Sequence, residues 1–259
     1  MSYHANAENL KLGRGAVFLA PWSGSTPPNT AHMGTFLGNV TSLALNSSNE
    51  TREKYSSTEA SSPLLDRRVI RQAFELVAAC DEHTMHNLKL FMSGDTTTVS
   101  QAVSSAGTAT LTDVTAGDTY SLGALNVTNV VVSEGSVAKA LDTDYLLNAA
   151  SGQITILSGG TIATGDDLSI TWDQPAATVQ KVRGGVVASP VYKLTYQADD
   201  ANTEGNAAQD KLTVWKVSVA SDGDMQFISD DYSSFSLRFA VLSDSNNHPT
   251  EPFFTLERV

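Results

Sequence analysis

Ser234-Phe235-Ser236-Leu237-Arg238-Phe239-Ala240-Val241 alternates large apolar side chains with small or polar ones without a break. A period of two puts Phe235, Leu237, Phe239 and Val241 on one face of an extended strand and Ser234, Ser236, Arg238 and Ala240 on the other. The stretch is a half-buried β-strand. The pattern recurs upstream. Val69–Cys80 sets Ile70, Phe74, Leu76 and Ala78 against Arg71, Glu75 and Val77, and Phe36–Ser47 carries Leu37, Leu43 and Leu45 on one face. Ala16–Leu19, Val187–Ala198 and Lys211–Ala220 add strands, and Ser221-Asp222-Gly223-Asp224 suits a hairpin turn. One helix is expected over residues 82–93, with Asp81 as N-cap, a Met85–Leu88–Met92 stripe and Gly94 at its end. The fold expected is mainly β: two packed sheets, sandwich- or barrel-like, with one flanking α-helix.

Charge divides the chain. Its 259 residues carry 16 Lys+Arg and 28 Asp+Glu, a formal charge of −12. That sign excludes a protein that grips nucleic acid through its phosphates. Between Asp95 and Gln180 nine acids face one base, Lys139, so this stretch holds −8 of the total. It is rich in Ser, Thr, Ala and Gly, with short strand signals at Thr108–Leu111, Thr119–Leu122, Val127–Val132, Tyr145–Leu147, Gln153–Leu157 and Leu168–Trp172. Residues 96–176 are therefore expected to be an inserted acidic β module. It would interrupt a domain built from 1–95 and 177–243, with extended arms at the N-terminus and over 244–259. The arm's Phe253, Phe254 and Leu256 need something to pack on.

Composition narrows the class. A hydrophobic fraction of 41% supports a real core, and no apolar run reaches the ~18–20 residues of a membrane helix. Met1–Glu8 lacks a basic stretch followed by an apolar one, which predicts cytosolic synthesis without a signal peptide. The lone Cys80 excludes an internal disulfide and predicts a buried small hydrophobe.

No catalytic signature is present, and no enzyme activity or cofactor is expected. His83-x-x-His86 would need further ligands to hold a metal, and solvent-facing helix histidines are the simpler reading. Asp199-Asp200, Asp222/Asp224 and Asp230-Asp231 lack the alternating ligand spacing of a calcium loop, so surface turns are expected.

The polar stretch 48–68 is different. It is too charged for a core strand and too long for an ordinary hairpin loop, so a long functional loop is expected. Glu50, Arg52, Glu53, Lys54, Asp66, Arg67 and Arg68 interleave opposite signs, and Tyr55, Leu64 and Leu65 add apolar anchors. That mixture suits a surface that meets a copy of itself.

The order of these features resembles the major tail tube proteins of long, non-contractile-tailed bacteriophages. The resemblance rests on Leu37-Gly38-Asn39-Val40 entering a strand, the loop Asn49–Ser57, Asp66-Arg67-Arg68-Val69, and the strand Phe74–Cys80 leading to Asn87–Asp95. Further blocks are Asp144-Tyr145, Gly152–Ile156, Gly159–Ile162, Leu168–Trp172, Leu194–Asp199, Leu212–Val219 and Asp222-Gly223 before the terminal alternating strand. Together they cover nearly the whole chain. The resemblance implies hexameric rings stacked into a hollow tube within the virion, made in the bacterial cytoplasm. The long loop and terminal arms would touch adjacent rings. The implied partners are further copies of the chain, a tape measure protein, a tail terminator and distal tail proteins. Double-stranded DNA passes in transit without specific binding, and no membrane is involved.

In such a tube the half-polar face, Ser42, Asn46, Arg71, Glu75, Lys216, Ser218, Ser236 and Arg238, is expected to line the lumen. The alternative class is a β-sandwich binding module of carbohydrate-binding or adhesin type. It would want an aromatic platform, and no such cluster appears among the three Trp and seven Tyr.

Overall fold

The computed structural model describes residues 13–199 and 210–258; the readings at Met1–Glu8 and at 200–205 lie outside them. The chain divides into two compact units, Met1–Thr96 with Val182–Val259, and Thr97–Lys181. The first unit opens with β1 (Gly15–Pro21), β2 (Thr35–Phe36), β3 (Val40–Tyr55), β4 (Leu64–Cys80) and α1 (Met85–Phe91). β5 (Asp95–Gln101) leads into the second unit. That unit holds β6 (Ser104–Val114), β7 (Thr119–Ser121), β8 (Thr128–Glu134), β9 (Val137–Ala138), β10 (Tyr145–Asn148), β11 (Gln153–Ile156) and β12 (Asp166–Gln174). β13 (Ala177–Arg183) pairs with β5 and returns the chain, and β14 (Val191–Ala198), β15 (Asp210–Asp222), β16 (Phe235–Val241) and β17 (Phe254–Arg258) follow. The protein is mainly β, built of packed antiparallel sheets, with one short helix among the described residues.

Unit 1 is one antiparallel sheet in the order β2-β1-β14-β15-β16-β4-β3, with β17 added to β15. β15 is long enough to serve two partners on one edge. Its residues 210–214 pair with β17 and its residues 217–222 with β16. The inward side chains of the alternating strands meet in one core that includes Val17, Leu19, Leu76, Leu194, Val214, Leu237 and Phe239. Each such burial contributes about 1.5–3 kcal/mol. Leu37 N–H donates to Val17 O, and Val17 of β1 and Leu43 of β3 line a common groove. The sheet therefore folds over on itself, and its two ends cover one core.

α1 differs from the expected 82–93 helix. Thr84, not Asp81, is the N-cap, accepting the Asn87 N–H at 3.1 Å. Asp81 instead accepts both bonds of the Asn39 side chain, and Glu82 accepts the Asn39 N–H, so these carboxylates tie the helix entry to the start of β3. The fully buried positions are Asn87 and Leu90 rather than the methionine stripe. Asn87 Nδ2 donates to Leu37 O at 2.7 Å and Glu82 O at 2.8 Å, which lets an amide sit in the core. Ser93, with φ 47°, takes the left-handed position expected of Gly94. Gly94 is required for another reason: a Cβ there would lie 2.3 Å from the Arg183 carbonyl oxygen.

Two connections also differ. Ser221–Asp224 is not a tight turn, because β15 runs to Asp222 and residues 223–234 form a longer loop before β16. The segment from Asp244 is not a free arm. Asp244 O accepts from Asn247 N–H and His248 N–H, and Asp244 N–H donates to Pro252 O, which folds 244–252 into a compact return. β17 then pairs with β15, Phe254 opposite Val214 and Leu256 opposite Leu212. Phe253 and Phe254 close on Phe74 with ring centroids 5.3 and 5.0 Å away. The exposed lower edge of β15 supplied the partner that the neighbouring sequence lacked.

Unit 2 is a smaller sandwich. The sheets β6-β12-β8-β9 and β10-β11-β7 enclose a separate core with Val132, Leu168, Ile170, Trp172, Tyr145, Ile154 and Ile156. Asp144, 5% exposed, accepts Ala140 N–H and Thr161 N–H, both at 2.7 Å, and the Thr161 hydroxyl at 3.0 Å. These bonds hold its carboxyl below the usual range and join two loops of the module.

Candidate functional site

The polar stretch 48–68 is not a loop. It is the outer half of the β3–β4 hairpin, with Ser48 opposite Ala73, Glu50 opposite Arg71, Lys54 opposite Asp66 and Tyr55 opposite Leu64. Loop-like composition arises because this part has no second layer: both faces meet solvent, so no apolar alternation is needed. β16 reaches along β4 only as far as Glu75. Beyond that point β3 and β4 pair with each other alone, forming a two-stranded ribbon roughly 35 Å long. Ser56 N–H donates to Pro63 O and closes the tip.

Opposite charges pair along the ribbon, two pairs across the strands and one within β4. Arg71 pairs with Glu50 at 3.0 Å, Arg67 with Glu53 at 3.5 Å and Arg68 with Asp66 at 2.8 Å. The Tyr55 hydroxyl donates to Glu53 at 2.6 Å, which raises the phenol's pKa. Pairs this exposed add little stability, about 0–1 kcal/mol each. The interleaved signs thus serve the hairpin itself. Among the described residues only Arg52 and Lys54 of the seven charged candidates lack an ion pair within the chain. The apolar candidates remain open: Leu65 is 64% exposed, and Tyr55 and Leu64 are about half exposed. Val69 and Ile70 join them, although alternation had assigned Ile70 to the core face. Among the described residues the outer edge of β3 has no strand partner along its 16 residues.

The half-polar face is brought together by register. Ser42, Ala79 and Ser236 align across β3, β4 and β16, and Asn46, Glu75, Ala240 and Ser218 align from β3 to β15. Arg238 lies between them opposite Val77, and Arg71 continues the face onto the ribbon. Lys216 stands apart, its ammonium 4.7 Å over the Trp22 ring. The bases of this face are matched locally. Arg238 Nε bonds Asp222 at 3.1 Å and lies 3.7 Å from Glu75, and Arg71 meets Glu50.

The remaining candidates do not converge. His83 Nε2 lies 3.1 Å from Ser233 O, whereas His86 is half-buried with its Nε2 unpartnered. Cys80 is fully buried, and burial pushes its thiol up to about 11. Among the described residues no group of three or more His, Cys, Asp or Glu could hold a metal, and no helix is long and apolar enough to cross a membrane.

Comparison with curated proteins finds no match. One family model, described as "Protein of unknown function UCP028589", matches residues 10–253. Because that span covers every strand of both units except β17, the chain belongs to this family.

Proposed function

We propose that this chain is a structural virion protein that assembles into stacked hexameric rings, forming the tail tube of a long-tailed bacteriophage. The observation that carries the reading is the β3–β4 ribbon, which bears exposed Leu64, Leu65, Val69 and Ile70 beside a 16-residue strand edge that no described residue pairs. A long open edge with apolar side chains invites pairing with another chain, and closure of a ring removes it. A two-stranded ribbon is also marginal in water alone, so a neighbour's strand would complete it. The smooth face around Ser42, Asn46, Ser218 and Ser236, its charges matched locally, suits a lumen through which DNA passes without sticking. Tape measure, terminator and distal tail proteins would meet the ends of the tube. The role needs neither catalysis nor a cofactor.

Electron microscopy of the purified full chain tests the reading. Wild type should form rings or hollow tubes. Leu65→Asp with Val69→Asp should keep its circular dichroism spectrum yet remain monomeric. A wild-type protein that stays monomeric at high concentration, in the presence of tape measure and distal tail proteins, would sink the proposal.

A further inference from the structure

An apolar loop and an apolar groove lie on the same unit and do not fill each other. Residues 223–234 are held at both ends: Met225 packs on the core, Ser233 Oγ donates to Gln226 O, and Ser233 O meets His83. That anchoring leaves Phe227, Ile228 and Tyr232 at 79%, 96% and 96% exposure. Asp224, Asp230 and Asp231 flank them, and none has an ion pair among the described residues. The groove, about 240 Å³, opens between β1 and β3 and is walled by Val17, Val40, Leu43, Leu45, Leu212 and Leu256. That is about eight waters' worth of space, room for a ring and a branched side chain together. Arg14 and Asp210 also line it; Asp210 accepts from Arg258 Nε at 2.9 Å, whereas Arg14 has no ion pair among the described residues.

We propose that residues 224–232 of one copy seat in the β1/β3 groove of the next, with Phe227 and Ile228 as anchors and the loop carboxylates facing Arg14. The occupant is a second copy because the chain itself carries the complementary piece. An apolar knob flanked by acids without ion pairs among the described residues suits an apolar slot whose acid, Asp210, is already held by Arg258 and whose base, Arg14, is open. Knob and slot are different surfaces, so the contact is heterologous. Every copy seated this way still offers one free knob and one free slot, and the contact propagates instead of stopping at a dimer. This inference rests on the self-assembly reading and adds a second contact, separate from the ribbon edge.

Cysteine trapping tests it, because Cys80 is buried and silent. Full-length Ile228→Cys and Leu45→Cys proteins are mixed under assembly conditions, oxidised, and the linked peptides identified by mass spectrometry. A mixed 228–45 disulfide is expected, and Arg14→Asp should weaken it. Phe227→Ser with Ile228→Ser and Tyr232→Ser alters only exposed side chains, so the fold should hold. The concentration needed for assembly should rise by more than ~100-fold. Normal tubes from this triple variant, or normal tubes of the mixed cysteine variants without the 228–45 disulfide, would overturn the inference and leave the tube reading intact. A mixed disulfide in oligomers that never become tubes would support the inference and count against the tube. Monomers alone, without any disulfide, would remove both.

Discussion

His86 shows how one buried side chain sets a pH response. Burial, and then the nearby Lys89 charge, lower its pKa below the ordinary 6.5. Between its folded value and 6.5 the unfolded chain binds more protons than the folded one, so stability rises with pH through that window and is complete above it. As pH falls below 6.5 this stability is lost. Asp95 and Asp144, whose pKa values are also lowered, lose their contributions only near and below 3.8. The His86 window opens at a higher pH than the carboxylate window. Urea unfolding of His86→Leu should therefore show a flat profile from pH 7 to about 5, while the loss below 4 remains. An unchanged slope between 7 and 5 would place the sensitive group elsewhere.

β17 is the element whose role changed most between pattern and structure. Its alternation is too short to declare a strand, and the polar return before it suggested a reaching arm. Within the folded chain it completes the edge of β15, and its Phe254, with Phe253 just before it, covers Phe74. Deleting residues 251–259 should therefore lower the chain's own stability by about 3–5 kcal/mol, the scale of losing a packed aromatic cluster. Chemical denaturation under conditions that keep the protein monomeric reads this directly. A tail that served only neighbours would leave that stability unchanged. The ribbon behaves in the opposite way: its side chains are already in water, so charges placed there should touch assembly far more than folding.

At the scale of the whole molecule, the two cores share no residue, since Val114 to Trp172 supply one and the flanking segments the other. The chain leaves and re-enters unit 1 at neighbouring points. Arg183 Nε donates to Asp95 at 2.9 Å, and Gly94 lies against the Arg183 backbone. Replacing Thr97–Lys181 with a short Gly/Ser linker should thus leave a folded unit 1, because closing so small a gap costs little entropy. The excised segment should fold alone. Cooperative thermal unfolding of both pieces checks this, and a non-cooperative unit 1 would show that it depends on the insert.

The sequence by itself determined the β class, the faces of β16 and of the inner half of β4, and the presence of one helix. Leu76, Ala78, Leu237 and Phe239 alternate because one side of their sheet meets the core, and that period is local information. Tertiary structure alone decided where strands lacking such contrast belong. Residues 48–55 and 64–68 are strands with water on both faces, so their pattern resembles a loop. Phe254 and Leu256 found a partner some forty residues away, on an edge that exists only once β16 ends. Asn87 is buried because Leu37 O and Glu82 O converge on its amide, which no spacing in the chain announces. The apolar loop and its matching groove were equally silent in the sequence: exposure and cavity shape are properties of the folded surface, set by contacts between residues far apart in the chain.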